Sequence, residues 1–213
     1  MTITASADGS ALGNPGPAGW AWYIDDNTWA AGGWKHATNN QGELKAVLEL
    51  FRATAHVDDD LHILCDSQYV INSITKWMPG WKKKGWRKGD GKPVMNLELL
   101  KELDEAITGR RYRFEWVRGH VGHVMNEAAD ARARAVSEAF ARGAAIPTGP
   151  GFPGAAAAVT AESEAEQEAP AQLAFDFADD EPEIGLTADQ RSRLAERARS
   201  EGITVAELLD RLI

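Results

Sequence analysis

Apolar residues recur along the first two thirds of the chain in two rhythms. Leu44, Val47, Leu48 and Phe51 stand at the i, i+3, i+4, i+7 spacing of one helical face, and Ala129, Ala133, Val136 and Phe140 form a similar stripe further on. Leu61-His62-Ile63-Leu64-Cys65 is a short apolar run with β character, and Ser67 just beyond it is a good N-cap for a following helix. A second such run is Phe114-Glu115-Trp116-Val117. The opening stretch, Thr2-Ile3-Thr4-Ala5-Ser6-Ala7, is thinner in bulk than a buried central strand normally is.

Four carboxylates fall at pointed places on this pattern. Asp66 sits at the carboxyl end of the 61–65 strand, where open α/β sheets bind ligands. Asn40 and Glu43 stand at capping-box spacing, which puts Glu43 in the first turn of the 40–55 helix. Taken alone, Glu43 reads equally well as a helix-capping acid. Asp130 lies one turn beyond Asn126, beside the apolar stripe of the last helix, and is aimed at the sheet edge. Asp8 opens Asp8-Gly9-Ser10 after the first strand. Acids with no Cys or His among them suit a hard cation that prefers oxygen ligands, so the set reads as a magnesium site.

Those acids lie inside longer motifs: Asp8-Gly9-Ser10 with Gly13-Asn14-Pro15-Gly16-Pro17, Thr38-Asn39-Asn40 with Glu43-Leu44, Asp66-Ser67-Gln68-Tyr69-Val70, Trp77, Trp81-Lys82-Lys83-Lys84-Gly85-Trp86, and Trp116-Val117-Arg118-Gly119-His120 with Asn126-Glu127. In this order, over about residues 1–143, the chain resembles bacterial ribonuclease HI. The resemblance implies a ribonuclease H-like α/β fold with a mixed five-stranded sheet flanked by helices. Strands are expected near 2–7, 19–24, 28–35, 61–65 and 112–117, and helices near 40–55, 67–84, 96–107 and 125–141. It also implies endonucleolytic hydrolysis of the RNA strand of RNA/DNA hybrids, leaving 5′-phosphate and 3′-hydroxyl ends. Asp8, Glu43, Asp66 and Asp130 would hold two Mg²⁺ ions with substrate bound, Mn²⁺ being a substitute, in two-metal catalysis. His120 would assist proton transfer or product release, whereas His123 reads as structural.

Substrate contacts follow from the same resemblance. Gly9, Ser10, Asn14, Asn39 and Gln68 would reach the hybrid's minor groove, where the 2′-hydroxyl distinguishes RNA from DNA. For Asn14, ordinary turn chemistry is the stronger reading of the residue alone. Tyr69, Trp77 and Trp81 would line the DNA channel, and Thr38 with Asn96 would hold a DNA phosphate. From Lys76 to Lys92, seven cations including Lys82, Lys83 and Lys84 face one acid, Asp90, a basic and aromatic protrusion suited to a phosphate backbone. Two positions depart from the family pattern. His36 stands where an Arg can serve the phosphate pocket, and Gly42 precedes Glu43 where a larger residue is usual, which predicts a less rigidly held Glu43.

Charge divides the remainder. Residues 1–143 hold 18 Lys and Arg against 18 Asp and Glu, and residues 144–213 hold 5 against 14, so the whole net charge of −9 lies in the tail. Residues 144–183, rich in Ala, Pro and Glu with no Lys or Arg, are expected to be an acidic disordered linker. Within it Gln172-Leu173-Ala174-Phe175-Asp176-Phe177 resembles the short peptide with which bacterial replication proteins bind the sliding clamp. Capping boxes at Thr187 and Thr204 on either side of Gly202 predict a small helical hairpin over 184–213. Cys65 is the only cysteine and no membrane span or signal peptide is legible, so a cytoplasmic protein with a monomeric catalytic domain is expected. Two rivals to the hybrid nuclease stand: another nuclease of the same superfamily, and a hybrid-binding adaptor without activity.

Overall fold

The structure, a computed structural model, describes residues 1–119 and 121–155. Strands β1 (Thr2–Ala11), β2 (Gly16–Asp25), β3 (Thr28–Ala37), β4 (Asp60–Cys65) and β5 (Tyr112–Trp116) form one sheet in the order β3-β2-β1-β4-β5. β1 is antiparallel to β2 and parallel to β4, so the sheet is mixed, as the sequence implies. The helices are α1 (Asn39–Ala53), α2 (Gln68–Asn72), α3 (Met78–Lys83), α4 (Leu97–Ile107) and α5 (Val124–Arg142). A π-helical turn, Ser73–Trp77, joins α2 to α3 inside the segment expected as one helix. Pro79 accounts for it, because a ring without an N–H cannot bond the carbonyl four residues back and crowds that turn.

The thin opening strand is the centre of the sheet, and its small side chains have a packing reason. Ala5 and Ala7 are buried in the main core beside Leu44, Val47, Leu48 and Phe51 of α1. On the opposite face Ser6 is buried against α5, where its hydroxyl lies 3.3 Å from Asn126 Oδ1. Helices therefore press on both faces of β1, and small residues let them approach. The α1 side holds most of the large core, with Trp22, Leu44, Leu48, Leu50, Phe51, Leu61, Ile63, Leu100 and Leu103 all but inaccessible to water. Burial of each such side chain contributes roughly 1.5–3 kcal/mol. The α5 side is tighter, with Ala133 and Val136 against Ala21 of β2 and Ala31 of β3.

Residues 144–155, which composition assigns to a disordered linker, instead pack on this domain. After α5 the chain caps at Gly143 in the left-handed region and turns back along β3, the edge strand. The Ala31 amide donates to Thr148 O at 3.0 Å, and the Gly151 amide donates to Trp29 O at 3.0 Å. Phe152 reaches the main core and meets the His56 ring edge-on at 5.6 Å. The strap occupies backbone groups that an open sheet edge would otherwise present to another chain. The clamp-like string 172–177, the hairpin 184–213 and the rest of the expected linker lie outside the described residues, as does His120.

Candidate active site

Strand register brings the first two acids level. Parallel pairing of β1 with β4 ends at Ser6 opposite Leu64, so Asp8 and Asp66 each stand two residues further on: Asp66 just past the carboxyl end of β4, and Asp8 inside β1, which runs on to Ala11 and not, as the sequence predicts, only to residue 7. Asp8 is opposite Ala21, which packs on α5, so its side chain is on the α5 face of the sheet. Asp130 on α5 faces the same region, and Glu43 reaches it from α1. The four acids line one cavity of about 370 Å³ together with Gly9, Ser10, Ala11, Asn39, Ser67 and Arg134.

Glu43 does not sit where the capping-box reading put it. Thr38 is the N-cap: its hydroxyl accepts from the Gln41 amide, and Gln41 Oε1 accepts from the Thr38 amide at 2.8 Å. With Asn39 as first helical residue, Glu43 begins the second turn, and a capping role is removed. It lies one turn from Asn39, whose Nδ2 donates to Glu43 Oε1 at 2.8 Å. Gly42 does not loosen it. A Cβ at Gly42 would come within 2.7 Å of Gly19 O, so glycine is what lets α1 close over the strands and seat Glu43.

Electrostatics set these groups apart from surface acids. Burial pushes the Asp8 carboxyl up to about 9, the charges of Asp66 and Glu43 add to it, and the Gly9 amide donating at 2.7 Å opposes it. Burial likewise pushes Glu43 up to about 7, with Asp66 adding and Ser67 and Asn39 opposing. Among the described residues Glu43 Oε2 is buried and has no hydrogen-bond partner. A carboxyl that holds its proton more tightly folded than unfolded favours folding at low pH and loses that contribution as pH rises, here from the ordinary 3.8 toward about 9 for Asp8 and from 4.5 toward about 7 for Glu43. In EDTA, Asp8→Asn is therefore expected to melt higher than the wild-type chain by a margin that widens from pH 5 to pH 9. Melting curves with a constant or shrinking margin would contradict this electrostatic description.

Asp66 is fixed from three sides. Asn126 Nδ2 donates to Asp66 Oδ2 at 3.2 Å, and Trp116 Nε1 donates to the Asp66 carbonyl at 3.0 Å. Gly119 lies against the carboxylate, and a Cβ there would overlap Oδ2, with Cγ at 3.3 Å. Gly119→Ala is expected to turn the Asp66 carboxylate away and lower turnover about tenfold to a hundredfold with the fold intact, since small misplacements at a reacting centre reach that size. Single-turnover rates beside a thermal melt test it, and unchanged rates would refute it. Among the described residues, no three His, Cys, Asp or Glu side chains stand together at ligand spacing. The donor set nevertheless fits a hard divalent cation: oxygen ligands only, mutually repelling, one of them with a buried and unpartnered oxygen.

The remaining sequence-predicted residues divide into two groups. Gly9, Ser10 and Asn39 line the cavity. Asn14 Oδ1 accepts from the Asn39 amide at 3.2 Å, tying the β1–β2 turn to the start of α1, and Gln68 is exposed at the start of α2. Away from the acids, Tyr69, Trp77 and Trp81 form an aromatic row with ring centroids 6.2 and 5.7 Å apart. Asn96, the left-handed N-cap of α4, donates to Tyr69 Oη at 3.2 Å. Lys82 is paired with Asp104 at 2.7 Å, whereas Lys83 and Lys84 are exposed. Sequence reasoning missed Arg134 as a cavity residue. Its signal was present, since it stands four residues beyond Asp130 on the same helical face.

With this geometry in place, the comparisons are specific. Residues 2–138 match the family model for RNase H. A ribonuclease H of Tropheryma whipplei is 54% identical over 150 residues, 70% of this chain and 93% of that protein. A ribonuclease HI of Streptomyces coelicolor is 44% identical over 142 residues, 63% of this chain and 60% of that one. Among solved structures, LC9-RNase H1, described as a type 1 RNase H with the type 2 active-site motif, superposes with a TM-score of 0.58 at 28% identity, covering 70% of this chain and 75% of its own. The family match and these relatives, on an α/β fold, define a nuclease. The chain belongs to the RNase H family.

Proposed function

We propose that this enzyme cuts the RNA strand of RNA/DNA hybrids at the cavity of Asp8, Glu43, Asp66 and Asp130, using divalent metal, with Mg²⁺ the primary ion and Mn²⁺ a substitute. One observation carries the reading: the four acids line a single cavity, and burial and mutual repulsion raise Asp8 and Glu43 so far that a cation is the natural remedy. Asp8, Glu43, Asp66 and Asp130 would hold the ions. Bound there, divalent ions would supply an activated water and stabilise the leaving oxygen. The chain's own groups do the positioning. Asn39 holds Glu43, Asn126 holds Asp66, and the Gly9 amide holds Asp8, so the carboxylate oxygens are oriented before substrate arrives. His120 is assigned to proton transfer or product release, and the products carry 5′-phosphate and 3′-hydroxyl ends.

Recognition divides between two surfaces. Gly9, Ser10, Asn14, Asn39 and Gln68 surround the cavity or its approach, where short polar groups can read 2′-hydroxyls. The row Tyr69, Trp77 and Trp81, with exposed Lys83 and Lys84 beside it, suits the DNA strand, and Thr38 and Asn96 at helix N-termini suit its phosphate. A labelled panel of hybrid, duplex DNA, duplex RNA and single strands with Mg²⁺ tests the function. Cleavage confined to the RNA of the hybrid is expected. Cutting of duplex DNA would favour another nuclease of the superfamily, and tight hybrid binding without cutting would favour an adaptor. For the tail, the string Gln172–Phe177 is assigned to the sliding clamp, and a pull-down unaffected by Gln172→Ala with Phe177→Ala would remove that assignment.

A further inference from the structure

The two arginines at the middle of α5, Arg132 and Arg134, have different employment. Arg132 is committed: its guanidinium donates to Asp26 Oδ1 at 3.0 Å and to Ala128 O at 2.9 Å, and it stacks over Tyr23 and Trp29 at 4.4 and 4.7 Å. Arg134 is exposed, and among the described residues its guanidinium has no hydrogen bond or ion pair and it is the one cation lining the acidic cavity. A cation set against four acids without pairing to a described one is placed for something that arrives. We infer that Arg134 binds the phosphate of the cut strand that neighbours the scissile one, and so sets the register of that strand in the cavity. This rests on the nuclease reading above.

Three physical points support it. Among the described residues that line the cavity Arg134 is the one cation, so its guanidinium is placed to meet the negative charge that a phosphodiester strand brings in. Four residues of helix separate Asp130 from Arg134 by roughly 6 Å along the axis, of the order of one nucleotide step from the reacting phosphate. A guanidinium offers a planar pair of donors matched to phosphate oxygens, which lysine does not. Because Arg134 meets the strand away from the broken bond, it is a positioning residue.

The test uses the full-length chain carrying Asp66→Asn, with binding of a fluorescent RNA/DNA hybrid followed against salt in Mg²⁺. Adding Arg134→Ala should weaken binding about tenfold, the size of a charge-assisted hydrogen bond, and reduce the slope of log affinity against log salt by about one. Arg134→Lys should keep the slope and recover only part of the affinity. In the otherwise wild-type chain, Arg134→Ala should raise KM about tenfold, lower kcat by less than that, and leave the melting temperature unchanged. An unchanged affinity and salt slope would overturn the inference. So would a shift confined to the Mg²⁺ concentration for half-maximal rate, which would make Arg134 a counter-charge for the acids. If the Asp66→Asn chain itself cleaves, the metal assignment fails; if it binds hybrid without cleaving and Arg134→Ala has no effect, only the assignment of Arg134 fails.

Discussion

Asp66→Asn is expected to lower hybrid cleavage by about a thousandfold or more while leaving the chain folded and able to bind. Asn keeps the shape of the side chain and removes its charge. Asn126 Nδ2, now 3.2 Å from Asp66 Oδ2, can still donate to the amide oxygen of the replacement, so the local hydrogen bond survives. What disappears is an anionic ligand at the carboxyl end of β4, and metal stabilisation of the transition state amounts to several kcal/mol, each ~1.4 kcal/mol being tenfold in rate. Removing one of a repelling set should also leave the melting temperature in EDTA equal to or above that of the wild type, because Asp66 raises both Asp8 and Glu43. Single-turnover cleavage within tenfold of wild type would contradict the assignment of Asp66.

Gly9→Ala should damage both stability and turnover. A Cβ on Gly9 would overlap Glu43 N and come within 2.7 Å of Gly42 C and 3.0 Å of Asn39 O. All three are backbone atoms of α1, so no side chain can swing aside, and the start of the helix must move off β1. Overpacking of this kind costs about 1–3 kcal/mol. The displaced segment carries Asn39 and Glu43, so activity should fall about a hundredfold as well. Gly80→Ala serves as the contrast, since nothing lies within 4 Å of a Cβ there. Denaturant unfolding and cleavage rates of the two variants separate a steric effect at α1 from a general intolerance of alanine. Gly9→Ala with unchanged stability would show that α1 does not press on β1 as described.

Much of this was legible in the chain because the signals were local and repeated. The 3.6-residue stripe from Leu44 to Phe51 and the apolar run Leu61 to Cys65 located α1 and β4 to within a residue or two. Asp66 and Asp130 were legible because one follows a strand and the other stands beside an amphipathic stripe, whereas Asp8, inside a strand that runs on to Ala11, and Glu43, in the second turn of α1, were found through the motifs around them. The α1 cap was misread because two candidate boxes overlap, Thr38 with Gln41 and Asn40 with Glu43, and spacing alone does not choose between them. Residues 144–155 were misread because the strap is held mainly by backbone hydrogen bonds to Trp29 and Ala31, which Ala, Pro and Gly composition does not announce. The Ser6, Asn126 and Asp66 contacts join β1, α5 and β4 across 60 and 120 residues, a separation at which no sequence pattern speaks. Arg134 carried a local signal, its spacing of four from Asp130, but a charged residue one turn from an aspartate looks like any helix surface.

The central claim is that residues remote along the chain form one pocket whose chemistry is completed by divalent cations. Its most direct measurement is cleavage of a labelled RNA/DNA hybrid by the full-length chain after dialysis against EDTA, with Mg²⁺ titrated back. No product is expected in EDTA, and activity should return with Mg²⁺ with a dependence on more than one ion. Undiminished cleavage in EDTA would contradict the account.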